Sequence, residues 1–223
     1  MKKILYFILL LSNISLSAQS LGNLDSNPNT AYMVTSAGLY IMSSTTGKPI
    51  KKLFLYKDFY NPSVIYTNSK VNYMINNINV DLIDQNFVSA YKKDSLFTFT
   101  NVDKVKINDK IFLKKNKTIL EVISQGKKVN LYIRYFAKKK EQELDKMNGS
   151  VSKPERFVLR KEFIFENAIT KQLSKHRKIK RSIFLSMLDS KSKDRVTKYA
   201  KKNNLSYKNI NELKKIINYY NSL

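Results

Sequence analysis

Few residues of this sequence have the type and spacing to do chemistry. His176 is the single histidine, and imidazole is the side chain whose ordinary pKa suits proton transfer near neutrality. Around it stand Ser174, Lys175, Arg177, Lys178, Lys180 and Arg181, whose charge disfavours protonation and among which no carboxylate is present to orient the ring. A solvated surface histidine is therefore expected. Asp81 and Asp84 are three apart, which on a strand puts them on opposite faces, while Asp103 and Asp109 flank a predicted hairpin turn. Glycoside hydrolysis needs two carboxyls converging on one bond, and spacing alone brings neither pair together.

Other chemistries fall away by residue type. Without cysteine there is no thiolate nucleophile, disulfide or Cys-based metal site, and one histidine cannot build a multi-histidine site. The five glycines form no phosphate-cradling loop and no nucleophile elbow, and Gly47-Lys48-Pro49 lacks the flanking pattern. Serine and lysine are so abundant that a Ser–Lys dyad pattern carries no information. No cofactor is expected.

Positive charge is the remaining signal. The chain carries a formal +24 over 223 residues, and 153–223 alone holds 19 basic and 6 acidic residues. Lys175, Arg177, Lys178, Lys180 and Arg181 form one run; Lys198, Lys201 and Lys202 form another, with Lys208 beyond it. These are the candidate anion-binding residues. Tyr199, Tyr207, Tyr219 and Tyr220 lie among them and have the shape to stack on bases or sugars. Such a surface attracts nucleic acid, anionic polysaccharide or lipid headgroups with marked salt dependence. The plainer reading is that the lysines solvate outward helix faces, the tyrosines complete a core, and the lysine bias reflects base composition.

The elements that must position these residues are legible in outline. Residues 1–18 read as a signal peptide: Lys2 and Lys3, an apolar run over 4–11, then Ser15-Leu16-Ser17-Ala18 as a small-residue exit before Gln19. The apolar run is too short to span a bilayer, an uncleaved anchor being the alternative, and no later window supplies a transmembrane span. Residues 19–31 read as a flexible leader. Over 32–167 short apolar runs recur at 38–42, 63–66, 71–75, 78–83, 87–91, 96–100, 105–107 and 111–113. Asn76-Asn77, Asn108-Asp109, Asn116-Lys117 and Gln125-Gly126 are the expected turns between them.

Residues 110–138 hold the centre of this pattern, with Leu120, Val122, Val129, Leu131 and Ile133 as core candidates. A charged loop is expected at 138–156, with 157–165 pairing back on 128–136. From about residue 169 the period becomes helical. Ile179, Ile183, Phe184, Met187 and Leu188 make one stripe; Val196, Tyr199 and Ala200 a second; Ile210, Leu213, Ile216, Ile217 and Tyr220 a third. Asp189 to Ser192 and Asn209 with Glu212 supply N-caps, and Asn203-Asn204 a stop. The fold class expected is α+β: an antiparallel β-meander, as an open barrel or half-sandwich, followed by a small three-helix segment over 168–223.

The chain resembles a group of uncharacterised secreted proteins of Gram-negative bacteria. The similarity rests on Asn72-Tyr73 in VNYMINNINVDLI, on Ile111-Phe112, on LEVISQGKKVNLYIRYF, and on the ending RVTKYAKKNNLSYKNINELKKIINYYNSL. It implies the fold and export, and brings no catalytic residue with it. The function expected is an exported, non-enzymatic binding or scaffolding protein of the periplasm, outer-membrane periphery or cell exterior, with an anionic polymer or envelope component as partner. The alternatives are an exported hydrolase with its site in the mouth of the curved sheet, and a peripheral binder of anionic polymers or membrane through the basic helices.

Overall fold

The computed structural model describes residues 30–35, 38–44, 52–66, 72–92, 95–99, 102–145, 147 and 149–223. The signal-peptide reading at 1–18, the leader up to residue 29 and the Gly47-Lys48-Pro49 break lie outside them. The architecture is α+β, with antiparallel sheets and the helices last in the chain. Neither main sheet closes into a barrel among the described residues.

A five-stranded sheet contains β1 (Thr30–Thr35), β2 (Gly38–Ser44), β5 (Ile78–Asp81), β6 (Asn86–Lys92) and β7 (Ser95–Phe99), in the order β1-β2-β7-β6-β5. An eight-stranded sheet contains β3 (Ser63–Tyr66), β4 (Asn72–Ile75), β8 (Lys104–Ile107), β9 (Lys110–Lys115), β10 (Thr118–Ser124), β11 (Val129–Lys140), β14 (Arg156–Asn167) and β15 (Leu173–His176). Its order is β15-β14-β11-β10-β9-β8-β3-β4. One face of this larger sheet, here the inner face, is covered at one end by the smaller sheet and at the other by α1 (Arg181–Ser186), α2 (Ser190–Lys202) and α3 (Ile210–Ser222).

Two cores follow. Ile65, Val105, Ile107, Phe112 and Ile119 pack against Ile78, Val80, Phe87, Phe97 and Phe99 of the smaller sheet. Val129, Leu131, Ile133, Phe163 and Phe165 pack against Phe184, Leu185, Val196, Leu213, Ile216 and Ile217 of the helices. The expected core residues of 110–138 divide by alternation: Val129, Leu131 and Ile133 face the helices, while Leu120 and Val122 lie with Tyr132 and Ile164 on the outer face. None of the helices is long enough to be stable alone, so their apolar stripes are buried in a core shared with the sheet, α2 packing on α3 and α3 on β10.

Two turns have the expected chemistry. Asn116 and Lys117 both take positive φ, 47° and 61°, as a two-residue turn between Lys115 and Thr118 requires. Asn108, at φ 52°, turns β8 into β9. Asn76-Asn77 is not a hairpin turn. β4 pairs with β3 and β5 with β6, so the chain crosses there from one sheet to the other. The reason is burial: every residue of β5 is buried, which an edge strand beside β4 would not provide. Its free edge is covered by the segment before β3, with Leu55 N–H donating to Val80 O and Leu82 N–H to Leu53 O. Buried Asn79 joins in, its amide donating to the carbonyls of Tyr56 and Asp58.

Three further expectations are corrected. The charged stretch 138–156 is no loop. β11 and β14 continue in register to Lys140↔Arg156, and a small hairpin of β12 (Glu143–Leu144) and β13 (Val151–Lys153) forms the tip. Inter-strand hydrogen bonds hold this ribbon where an apolar pattern is lacking. A strand also precedes the expected first one, since Thr30–Thr35 pairs with β2. Finally, helix does not begin near residue 169: the Asn167 carboxamide accepts from the Ile169 and Thr170 N–H groups, Lys171 takes φ 59°, and the chain returns along β14 as β15. α1 starts only at Arg181 and is six residues long.

The later helices keep their expected caps. Asp189 accepts from Ser192 N–H to open α2, and Asn203 closes it with Asn204 at φ 51°. Asn209 accepts from Asn211 and Glu212 N–H to open α3, although the Glu212 carboxylate turns instead to Ser206 N–H. No helix among the described residues is long and apolar enough to cross a membrane.

Candidate functional site

The eight basic residues expected to bind anions are all exposed, and none makes an ion pair among the described residues. Their setting differs from the expectation of two runs on a helical segment. Lys175 lies on β15 opposite Ile164, so it belongs to the outer sheet face, whereas Arg177 and Lys178 occupy the turn that follows. Lys180 is the N-cap residue of α1 and Arg181 its first residue. The Arg181 guanidinium sits 5.7 Å from the centre of the Tyr207 ring, tying this run to the loop leaving α2. Lys201 and Lys202 end α2, where cations favour the C-terminal dipole, and Lys198 stands one turn earlier.

The tyrosines among them are used in packing. Tyr199 and Tyr219 stack with centroids 4.0 Å apart, and Tyr220 and Tyr207 flank Phe184 at 6.4 and 6.2 Å. The reading in which they complete a core is the one observed. His176 is half-buried where full exposure was expected, because its strand turns it inward beside Phe165, 6.1 Å between ring centres, with Ser174 Oγ hydrogen-bonded to Nε2. Asp81 and Asp84 do converge, since the strand ends at Asp81 and a turn follows. Lys52 Nζ lies 3.1 Å from one and 3.7 Å from the other, which makes an ion-paired turn. Among the described residues no three His, Asp or Glu side chains gather as a metal-ligand set.

A cleft that sequence reasoning did not assemble lies on the inner face. Its cavity is about 540 Å³, floored by Glu121, Ile133, Tyr135 and Phe163 and bounded by the β8–β9 turn and the first turn of α3. Register explains the floor: Phe112, Glu121, Ile133 and Phe163 are directly opposite one another across β9, β10, β11 and β14. Four lysines line it: Lys110 from β9, Lys161 from β14, Lys208 and Lys214 from around the start of α3. Glu121 is the one buried acid there, its side chain 7% exposed. Glu121 Oε2 accepts from the Tyr135 hydroxyl at 2.8 Å and from Lys110 Nζ at 3.2 Å.

Burial first, and then the Glu121 hydrogen bond and charge, push the Tyr135 phenol well above its ordinary value. The same two causes, burial ahead of the Glu121 charge, push Tyr56 up to about 12. Both phenols therefore stay protonated throughout the neutral range, Tyr135 as a donor to Glu121. The sequence signal for this site was a lone glutamate inside the apolar strand TILEVIS, at a position whose alternation turns it inward.

A second buried carboxylate marks the outer face. Glu166 accepts from Asn130 at 2.8 Å, Tyr132 at 2.9 Å and Lys115 at 3.3 Å. Burial raises its pKa, but these three donors and the lysine charge outweigh it and hold the carboxyl below its ordinary range. Lys115 also lies 4.7 Å from the centre of the Tyr132 ring. With donors on both oxygens, this network joins β9, β11 and β14 as a structural tie. A smaller cavity of about 300 Å³ between the β14–β15 turn and the helices is lined by Lys128, Asn167, Ser174, Met187 and Tyr220.

These features define an α+β protein with an open antiparallel sheet, a helical cover and a lysine-lined cleft beside that cover. No family model, curated protein or solved structure matches the chain.

Proposed function

We propose that this chain is an exported, non-enzymatic binding or scaffolding protein of the cell envelope that holds an anionic polymer or envelope component on its basic C-terminal segment. Of this reading, only export is also what the resemblance to the secreted Gram-negative group implies. The observation that carries the reading is the eight basic side chains, exposed and without ion pairs among the described residues, on a unit whose apolar and aromatic side chains serve packing. Charge presented in this way is available to solvent and to an anionic partner.

The membrane variant of this reading has less support, because Ile179, Phe184 and Leu188 of the amphipathic stripe are buried in the core. Membrane attachment would then rest on charge alone. The hydrolase reading draws on the cleft, which holds Glu121 and Tyr135. Tyr135 stays protonated, however, and the Glu121 carboxylate is held by a phenol and an ammonium, an arrangement suited to orienting a ligand.

The test is binding of the purified mature protein to lipopolysaccharide, a polyuronate and DNA across a salt series. Affinity that falls steeply with salt, and falls further when Lys198, Lys201 and Lys202 are changed together to glutamine, is the expected result. No binding to any of the three at low salt ends the anionic-partner reading. Export is checked separately, by N-terminal sequencing of the protein from its native host, where Gln19 should come first.

A further inference from the structure

The cleft is a site of a different kind from the exposed tail. Its lining combines three chemistries that a diffuse basic surface does not bring together. The first is a buried acceptor. The hydrogen bonds at the Glu121 carboxylate fall on Oε2, so Oε1 is its spare acceptor among the described residues, in a side chain only 7% exposed. Glu166, equally buried, has both oxygens occupied, so the spare capacity at Glu121 is not the rule for acids in this sheet. Oε1 is not sealed off as an unpartnered atom in the interior, so it is free to take a donor that a ligand brings.

The second is an excess of cations, four lysines against the buried Glu121 and the exposed Asp109 of the β8–β9 turn. Lys161, Lys208 and Lys214 line the cavity with no ion pair among the described residues, while Lys110 is engaged by Glu121. A ligand must then carry negative charge at one part and hydrogen-bond donors at another. A bare anion would meet Glu121, and an amine would meet the lysines. The third is the apolar floor of Ile133 and Phe163 with Ile179 and Ile210 beside it. This surface suits the C–H face of a ring. The volume lies within the range of small-molecule sites.

From these three together we infer that the cleft between the β8–β9 turn and α3 binds an acidic saccharide. Its hydroxyls donate to Glu121, its carboxylate or phosphate lies among Lys161, Lys208 and Lys214, and its ring rests on Phe163 and Ile133. Carboxylated and phosphorylated sugars share this chemistry. The cleft has no residue in common with the eight basic residues of the tail, so this inference does not rest on the polymer-binding reading.

The experiment is calorimetric titration of the full mature chain with digalacturonate, glucose 1-phosphate, maltose and inorganic phosphate at one low ionic strength. At least one charged sugar should bind saturably, and at least tenfold more tightly than maltose or inorganic phosphate, each of which has half of the required chemistry. Digalacturonate ahead of glucose 1-phosphate identifies a uronate source, and the reverse order a phosphosugar. Lys208→Gln with Lys214→Gln, both exposed and so compatible with folding, should weaken the charged sugar at least fivefold. Glu121→Gln should weaken it while leaving inorganic phosphate equal or tighter. The tail variant with Lys198, Lys201 and Lys202 as glutamine should bind the small sugar unchanged, which separates this outcome from loss of polymer binding. Equal affinity for inorganic phosphate and the charged sugars, no binding of either sugar, or indifference to the Lys208 and Lys214 changes would each overturn the inference.

Discussion

Asn221 leaves no room for a side chain at residue 126: a Cβ built on Gly126 would lie 2.2 Å from the Asn221 Cγ. Asn221, near the end of α3, reads the turn between β10 and β11 as backbone. Its Oδ1 accepts from the N–H groups of Lys128 and Val129 at 3.0 and 2.9 Å, and its Nδ2 donates to Val129 O at 2.9 Å. The helical cover is thus fastened to the sheet by hydrogen bonds that need close approach. Glycine is required here for space and not for an unusual φ.

Gly126→Ala should therefore destabilise the protein by about 1–3 kcal/mol, the usual effect of overpacking. Asn221→Ala should also destabilise, through loss of the three bonds. Because the two residues touch, the double variant should be less unstable than the sum of the singles. Urea midpoints of the four proteins check this, and simple additivity would count against the contact.

The side-chain amide of Gln85 joins the two sheets. Beyond the Leu120↔Arg134 pair, Ile119 N–H donates to Gln85 Oε1 at 3.2 Å and Gln85 Nε2 donates to Tyr135 O at 3.0 Å. Gln85→Ala would orphan both backbone groups, at about 1–3 kcal/mol for each one left dry. Faster exchange of the Ile119 amide in hydrogen-exchange measurements is expected, and an unchanged rate would place water or another acceptor there.

Leu131 is fully buried between the sheet and the helices. Leu131→Asp should unfold the domain, since an unpaired carboxylate there costs several kcal/mol, roughly half or more of a typical domain's stability. A cooperative thermal transition retained by this variant would contradict the observed register.

Acid should loosen the outer face through Glu166. Its folded carboxyl sits below its ordinary value, so the stability it contributes is complete above that value and is lost as pH falls through the folded one. Urea midpoints taken from neutral pH downward should drop in the acid range, and Glu166→Gln should flatten that part of the profile while lowering stability at neutral pH.

Tyr135 and Tyr56 shift in the opposite sense. Their contribution is complete below the ordinary phenol value of 10.0 and is lost as pH rises through the raised folded values. Alkaline titration followed by phenolate absorbance should show late-titrating tyrosines. Glu121→Gln should bring them part of the way back, burial retaining the rest.

Local chemistry was enough to determine much of this protein. Alternation in NLYIRYF and FVLRKEFIF marks two strands that pair, Asn116-Lys117 marks a turn because both residues must take positive φ, and Asp189 and Asn209 mark helix starts because their side chains satisfy N–H groups a few residues away. Each is an interaction over a short stretch of chain, so it is written where it acts. The interactions that only tertiary structure decided are those over long separations. Asn76-Asn77 has hairpin composition, yet the burial of both faces of β5 sends the chain to another sheet. The 138–156 stretch has loop composition, yet its backbone pairs, because ladder hydrogen bonds are indifferent to side-chain polarity. The basic residues were visible as charge, but whether five of them shared one helix depended on the unpaired edge of β14, which took 173–176 as a strand. The cleft was the least legible feature. Glu121, Tyr135, Lys161 and Lys214 come from four elements, and only the register of β10, β11 and β14 beneath α3 brings them to one cavity.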